Sequence, residues 1–242
     1  GSADEFRLLT DAVGEKGYRQ IDINLGCPFP MIAGKHKGAG MLLYPAQVAE
    51  VLAPIAEYPE IQFSLKMRLG WENASECMVL VELLNTLRLS RIALHARTGK
   101  QQYKGHPDLE AFQGFYELCQ HPLYYNGGIE SLSDIRQILT RFPLLKGVFI
   151  GRGLLSSPLL AKEFKGNETF LPEQRMSIYF AFHEELFSAY SQVLQGETQL
   201  LVKMKTLWEY FLPETDRKLL KRIKKSTRLQ QYTESVKAIF TS

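Results

Sequence analysis

A cysteine held between glycine and proline, in Asp22-Ile23-Asn24-Leu25-Gly26-Cys27-Pro28, is the residue best placed to do chemistry. Gly26 and Pro28 demand a tight turn, and a turn after an apolar stretch presents Cys27 at the mouth of a sheet. A thiol held there can act as a general acid, giving a proton to a carbon that gains negative charge during a reduction. Asn24 offers both donor and acceptor, which suits an amide-like ring edge. The structural alternative for Cys27 is a small buried hydrophobe, the common fate of a free cysteine. Cys77 and Cys119 fall inside helical patterns, where that alternative is the expectation.

Further along, Gly34-Lys35-His36-Lys37-Gly38-Ala39-Gly40 is glycine-rich and basic. It lacks the Gly-Lys-Ser/Thr order of a triphosphate loop, and reads as a mobile loop over the mouth or a plain surface loop. Lys66-Met67-Arg68 puts Lys66 and Arg68 on one side of an extended chain. A lysine closing an apolar strand needs an anionic partner. A reduced flavin ring meets that need; Schiff-base chemistry and pairing with a carboxylate are the alternatives. His95-Ala96-Arg97-Thr98, with Gln101-Gln102-Tyr103-Lys104-Gly105, supplies donors of several shapes and reads as a ligand-binding loop. Asn126-Gly127-Gly128-Ile129 and Gly151-Arg152-Gly153 can each turn backbone N–H groups toward a phosphate, with Arg152 adding a bidentate clamp. Two such turns imply a phosphate-bearing cofactor, and FMN suits the arrangement better than a dinucleotide.

These motifs sit at the ends of short apolar runs. Strands are expected at 20–25, 62–67, 91–95, 123–125 and 147–150, with helices at 3–16, 45–56, 74–87, 109–119 and 133–141. Pro45 suits a first helical turn, and Ser133 is placed as an N-cap. Strands alternating with helices imply βα units and a parallel sheet. A doubly wound sheet gathers its ligand residues near one switch point, whereas every strand end of a (β/α)8 barrel opens on a common site. A polar cluster at each of five strand ends therefore favours an α/β fold of the TIM-barrel type. Eight strands are needed and five are found, so about three βα units are expected upstream. After Gly166 the pattern turns helical, with helices at 172–194, 199–211, 217–226 and 230–240.

Composition narrows the class. The chain has 242 residues, 45% hydrophobic and 23% charged, as in ordinary globular proteins. No apolar run reaches the roughly 20 residues of a membrane span, and no secretory leader pattern opens the chain. Three scattered cysteines without a CxxC pair suggest neither a disulfide framework nor a metal site. A cytoplasmic protein is expected. Residues 201–242 carry ten Lys/Arg against four Asp/Glu, while the first 200 carry 19 against 22. That imbalance suggests a polyanionic partner; a solvated helix face is the bland alternative.

Taken in order, these motifs resemble the tRNA-dihydrouridine synthase family. The matching stretches are Asp22 to Pro28, Lys66-Met67-Arg68-Leu69-Gly70, His95 to Thr98 with Tyr103-Lys104-Gly105, Asn126-Gly127, and Ile150-Gly151-Arg152-Gly153. The resemblance implies a partial FMN-binding (β/α)8 barrel over 1–166 and a helical tRNA-binding domain over 167–242. It implies an enzyme, reduced by NADPH, in which hydride from FMN N5 reaches uracil C6 and Cys27 protonates C5. Lys66, His95, Asn126, Gly127, Gly128, Gly151 and Arg152 would hold FMN. Asn24, Arg68 and Arg97 would face the substrate uridine, and Lys221, Arg222, Lys224, Lys225 and Arg228 would meet the tRNA. Gly128 departs from the family pattern, which often has an acidic residue there. A monomer is expected. The rival readings are a dihydroorotate- or dihydropyrimidine-type flavin reductase and a non-catalytic RNA-binding protein.

Overall fold

A computed structural model describes residues 1–241. Its first compact unit comprises 1–129 and 133–149, and its second 130–132 and 150–242. The division expected from composition lies later, after Gly166, so the stretch 150–166 belongs by compactness with the helical part.

In the first unit, α1 (Ala3–Glu15) leads into β1 (Gln20–Leu25). The short α2 (Pro30–Ala33) and a 3-10 segment (Gly38–Leu43) precede α3 (Pro45–Leu52). Then come β2 (Gln62–Gly70), α4 (Glu76–Thr86), β3 (Leu89–Thr98), α5 (Leu109–Leu118), β4 (Leu123–Asn126), α6 (Leu132–Arg141) and β5 (Gly147–Phe149). The strands are parallel and lie in chain order, β1-β2-β3-β4-β5. A doubly wound sheet reverses its order at a switch point; this sheet does not. It is five consecutive units of the (β/α)8 type.

β1, β2 and β3 each have an apolar and a polar face, as the twofold period of a strand allows. Phe63, Leu65, Met67 and Leu69 of β2 and Ile92, Leu94 and Ala96 of β3 are buried on the apolar face. Leu80 and Leu84 of α4 and Phe112 and Phe115 of α5 contribute to the same core. The opposite face carries Ser64, Lys66 and Arg68 of β2 and His95 and Arg97 of β3.

Two expectations about helices are corrected. The helix expected over 45–56 stops at Leu52, and Ala53–Glu57 continues as a 3-10 turn. Pro54 has no N–H to extend the α-helical ladder. Ser133 lies inside α6, one residue past its start, and is not an N-cap.

The second unit contains α7 (Arg152–Ser156), α8 (Leu160–Gly166), α9 (Pro172–Val193), α10 (Glu197–Leu207), α11 (Arg217–Lys225) and α12 (Leu229–Phe240). Trp208, Phe211, Ile223 and Tyr232 are at its core. There the Trp208 indole donates to the Tyr232 hydroxyl at 3.0 Å, and His183 Nε2 lies 2.7 Å from that hydroxyl. The Glu184 carboxylate only accepts, so the neutral imidazole carries its proton on Nδ1, 3.0 Å from Glu184 Oε1, and takes the Tyr232 proton at Nε2.

Burial pushes the pKa of His183 down, with the Glu184 charge opposing. A group that binds its proton less readily when folded stabilises the fold above its unfolded pKa, and that contribution is lost as pH falls. Unfolding free energy should therefore drop from about pH 6.5 downward, by at most about 1.4 kcal/mol per pH unit for this one proton. Denaturant titrations from neutral to acidic pH should show a steeper acid loss in wild type than in His183→Gln. Parallel curves would assign the acid sensitivity to other groups.

Candidate active site

Cys27 is half-buried in the turn that follows β1. The Asn24 side-chain oxygen accepts from Gly26 N–H at 2.9 Å, folding the chain back on itself. Ala39 N–H donates to the Cys27 carbonyl at 3.0 Å. Gly38 has φ +56°, and a Cβ there would lie 2.7 Å from the Cys27 carbonyl oxygen. At Gly40 a Cβ would lie 2.3 Å from the Ala33 carbonyl oxygen. Gly38 therefore serves close packing against the cysteine turn, and Gly40 close packing against the end of α2. Of the expected loop over 34–40, Gly38 to Gly40 are buried and do not form a solvated loop, whereas Gly34, Lys35 and His36 are exposed. Lys37 is also taken, since its ammonium pairs with Glu5 at 2.8 Å.

Strand register gathers the separate motifs. Asn24 is level with Lys66. Arg68, His95 and Asn126 form a single row across β2, β3 and β4, with strands about 4.8 Å apart. Lys66 is half-buried and its ammonium has no hydrogen-bond or ion-pair partner among the described residues. Burial and then the Arg68 charge push its pKa down, while Asp22 acts in the opposite sense. Asp22 itself accepts from Ser64 Oγ at 3.0 Å.

His95 and Arg97 are both buried. Arg97 Nη1 lies 3.3 Å from His95 Nε2. A guanidinium only donates, so Nε2 accepts. Arg97 Nη2 also donates to the Gly105 carbonyl at 2.9 Å, fastening the loop beyond β3. The Asn126 amide donates to the Phe149 carbonyl at 2.7 Å, joining the ends of β4 and β5. Gly127 and Gly128 follow with φ +132° and +62°, which disfavours side chains at both positions. A Cβ on Gly127 would lie 3.1 Å from the His95 ring. Arg68 is only 1% exposed and donates to three backbone carbonyls.

Gly151 and Arg152 belong to the second unit, where Gly151 precedes α7 and Arg152 begins it. Also in that unit, Lys218, Lys221, Arg222 and Lys225 line one cleft of about 440 Å³, with Ser226, Gln231, Glu234 and Ser235. Their spacing of three, four and seven residues puts all four cations on one helix face. Buried Ile223 anchors the opposite side. Lys224 and Arg228 are exposed but do not line the cleft. Among the described residues, none of these six cations pairs with a carboxylate. Lys218 was absent from the sequence expectation, although its helical spacing from Lys221 and Lys225 was a usable signal. Among the described residues, no group of three or more His, Cys, Asp or Glu could hold a metal ion. No described helix is long and apolar enough to cross a membrane.

The family model described as Dihydrouridine synthase (Dus) matches residues 7–241. The tRNA-dihydrouridine synthase B of Vibrio vulnificus (strain CMCP6) is 28% identical over 174 residues, covering 69% of this chain and 54% of that protein. The probable tRNA-dihydrouridine synthase of Rhizobium leguminosarum bv. phaseoli is 32% identical over 139 residues, covering 57% of this chain and 44% of that one. The chain thus spans about half the length of the curated relatives it matches. A solved structure of morphinone reductase in complex with tetrahydroNAD aligns with 72% of this chain and 51% of that one, at 13% identity and a TM-score of 0.46. With a family match running almost from end to end, the chain belongs to the dihydrouridine synthase family.

Proposed function

We propose that this chain takes part in the FMN-dependent reduction of specific uridines in tRNA to 5,6-dihydrouridine, with NADPH as the reductant. The observation that carries the reading is Lys66: a half-buried cation with no hydrogen bond or ion pair among the described residues, level with Asn24 and close in register to Arg68, His95 and Asn126. An anionic ring system would relieve the electrostatic penalty of that burial. Its neighbours offer the mixed donors and acceptors that a flavin edge needs.

Reduced FMN would supply the hydride for uracil C6. Cys27 gives its proton to C5, acting as a general acid. Lys66, His95, Asn126, Gly127 and Gly128 hold the cofactor, and Asn24, Arg68 and Arg97 lie on the substrate side. Gly151 and Arg152 serve the phosphate, as the family pattern implies. Residues 1–166 form the catalytic part, although by compactness 150–166 groups with the helices, and 167–242 form the tRNA-binding part of a monomeric, cytoplasmic enzyme. The unpaired cations of the α11–α12 cleft favour a polyanionic substrate over a free pyrimidine.

The direct test is to supply the full-length protein with FMN, NADPH and unmodified tRNA, and to measure dihydrouridine by mass spectrometry. Absence of dihydrouridine, with flavin bound and NADPH consumed, would reject the assigned substrate. Arg152→Ala should weaken FMN binding by about 30-fold, the equivalent of one charge-assisted contact of about 2 kcal/mol. Full flavin occupancy of that variant after dialysis would place the phosphate elsewhere.

A further inference from the structure

We propose that Tyr179 is a positioning residue for the phosphate end of FMN, seating through Ser157 the short helix that begins with Arg152. The inference rests on the reading of Gly151 and Arg152 as the phosphate-holding residues. Helix α7 has only five residues, Arg152–Ser156, against the roughly 12–15 that an isolated helix needs to persist in water. Contacts from outside α7 must therefore fix where Arg152 stands.

Tyr179 of α9 supplies one such contact. Its ring belongs to the core of the helical unit, edge-on to Phe211 with centroids 5.7 Å apart. Its hydroxyl lies 2.7 Å from Oγ of Ser157, the residue that follows α7. Tyr179 is only 4% exposed, so little water is at hand to replace that bond. Arg175, one turn earlier on α9, donates to the same hydroxyl at 3.4 Å and pairs with Glu163 of α8. The buried Glu163 carboxylate needs that cation, and the pairing keeps Arg175 beside Tyr179. Leu212 N–H also reaches the Ser156 carbonyl, at 3.4 Å. Leu212 has φ +48°, a left-handed conformation uncommon for a residue with a side chain. Such strain persists where surrounding contacts enforce it. Within α7, Ser156 Oγ donates to the Arg152 carbonyl at 3.1 Å, and Ser157 N–H donates to the Gly153 carbonyl at 2.9 Å. The end of α7 is thus tied both to the helical core and to the backbone at Arg152.

The test uses the full-length protein, with FMN and riboflavin as paired probes titrated by flavin fluorescence. Riboflavin has the ring and ribityl chain without the phosphate, so the ratio of the two dissociation constants reports the phosphate end alone. In Tyr179→Phe and in Ser157→Ala, FMN should bind about fivefold more weakly, the equivalent of one neutral hydrogen bond. Riboflavin should bind both variants as it binds wild type. The double variant should lose about as much as either single one, because both substitutions remove the same bond. Equal weakening of FMN and riboflavin would show a merely structural role and overturn the proposal. So would unchanged FMN affinity, or a loss of about 25-fold in the double variant, the product expected of independent sites. If Arg152→Ala kept the wild-type preference for FMN over riboflavin, the phosphate reading itself would fail. Amide hydrogen exchange across 153–157 would still judge the tether: Tyr179→Phe should speed it, and unchanged exchange would reject it.

Discussion

Cys27→Ala, in the full-length holoenzyme, should lower turnover on tRNA by about a hundred- to ten-thousand-fold, the usual contribution of a general acid. The thiol is half-buried in a turn shaped by Asn24, Gly26 and Gly38, with its carbonyl held by Ala39. Alanine fits the same space, so flavin binding and tRNA affinity should remain near wild type. Cys77 and Cys119 provide the controls. Burial pushes the Cys77 thiol up to about 12, and its Sγ donates to the Ala74 carbonyl at 3.2 Å. Burial also raises Cys119. Neither should release a proton readily near neutral pH, and alanine at either site should leave turnover close to wild type. Single-turnover measurement of dihydrouridine formation separates the proton step from tRNA release. Unchanged turnover in Cys27→Ala would remove the residue from the chemistry.

The second large effect is expected at the α11–α12 cleft. Replacing Lys218, Lys221 and Lys225 together with alanine should weaken tRNA binding and flatten its dependence on salt. Each phosphate contact contributes roughly 0.7–0.9 to the slope of log affinity against log salt, so three lost contacts amount to about two units. Lys224→Ala should have a smaller effect, since that side chain does not line the cleft. Its angular position on α11 separates it from Lys218 and Lys225 by about 100–120°, although it lies only about 60° from Lys221. The three lysines are exposed, so their removal should leave the buried Ile223 anchor and the fold intact. Binding isotherms at several salt concentrations decide the matter. An unchanged slope in the triple variant would move the phosphate-binding surface off this face. Equal losses in Lys224→Ala and the triple variant would show that net charge matters more than the cleft.

The sequence by itself determined the succession of elements and most of the residues worth testing. Short apolar runs followed by polar turns identify strands because the twofold period of an extended chain leaves one face for the core. β1 has the bounds expected, 20–25, and the four helices after residue 170 lie within a few residues of expectation. Gly26 and Pro28 around Cys27 marked the turn through their own backbone restrictions, which need no tertiary partner.

Other features required the fold. β2 runs on to Gly70 and β3 to Thr98, beyond the expected Met67 and His95. Arg68 and Arg97 look like loop residues in a linear reading, yet they are buried in the sheet, with carbonyls of the loop beyond β3 accepting from their guanidinium groups. The Gly34-to-Gly40 segment likewise has the composition of a solvated loop. Its second half packs because Cys27 approaches Gly38 and Ala33 approaches Gly40 too closely for any side chain, while Gly34 to His36 stay exposed. Residue spacing can put Lys66 and Arg68 on one side of a strand. Only parallel register with β1, β3 and β4 makes them neighbours of Asn24, His95 and Asn126, and only the closing of two loops gives Arg68 three carbonyls to hold. Those contacts join residues up to 42 positions apart, and a directional hydrogen bond between such residues depends on how the intervening chain has packed.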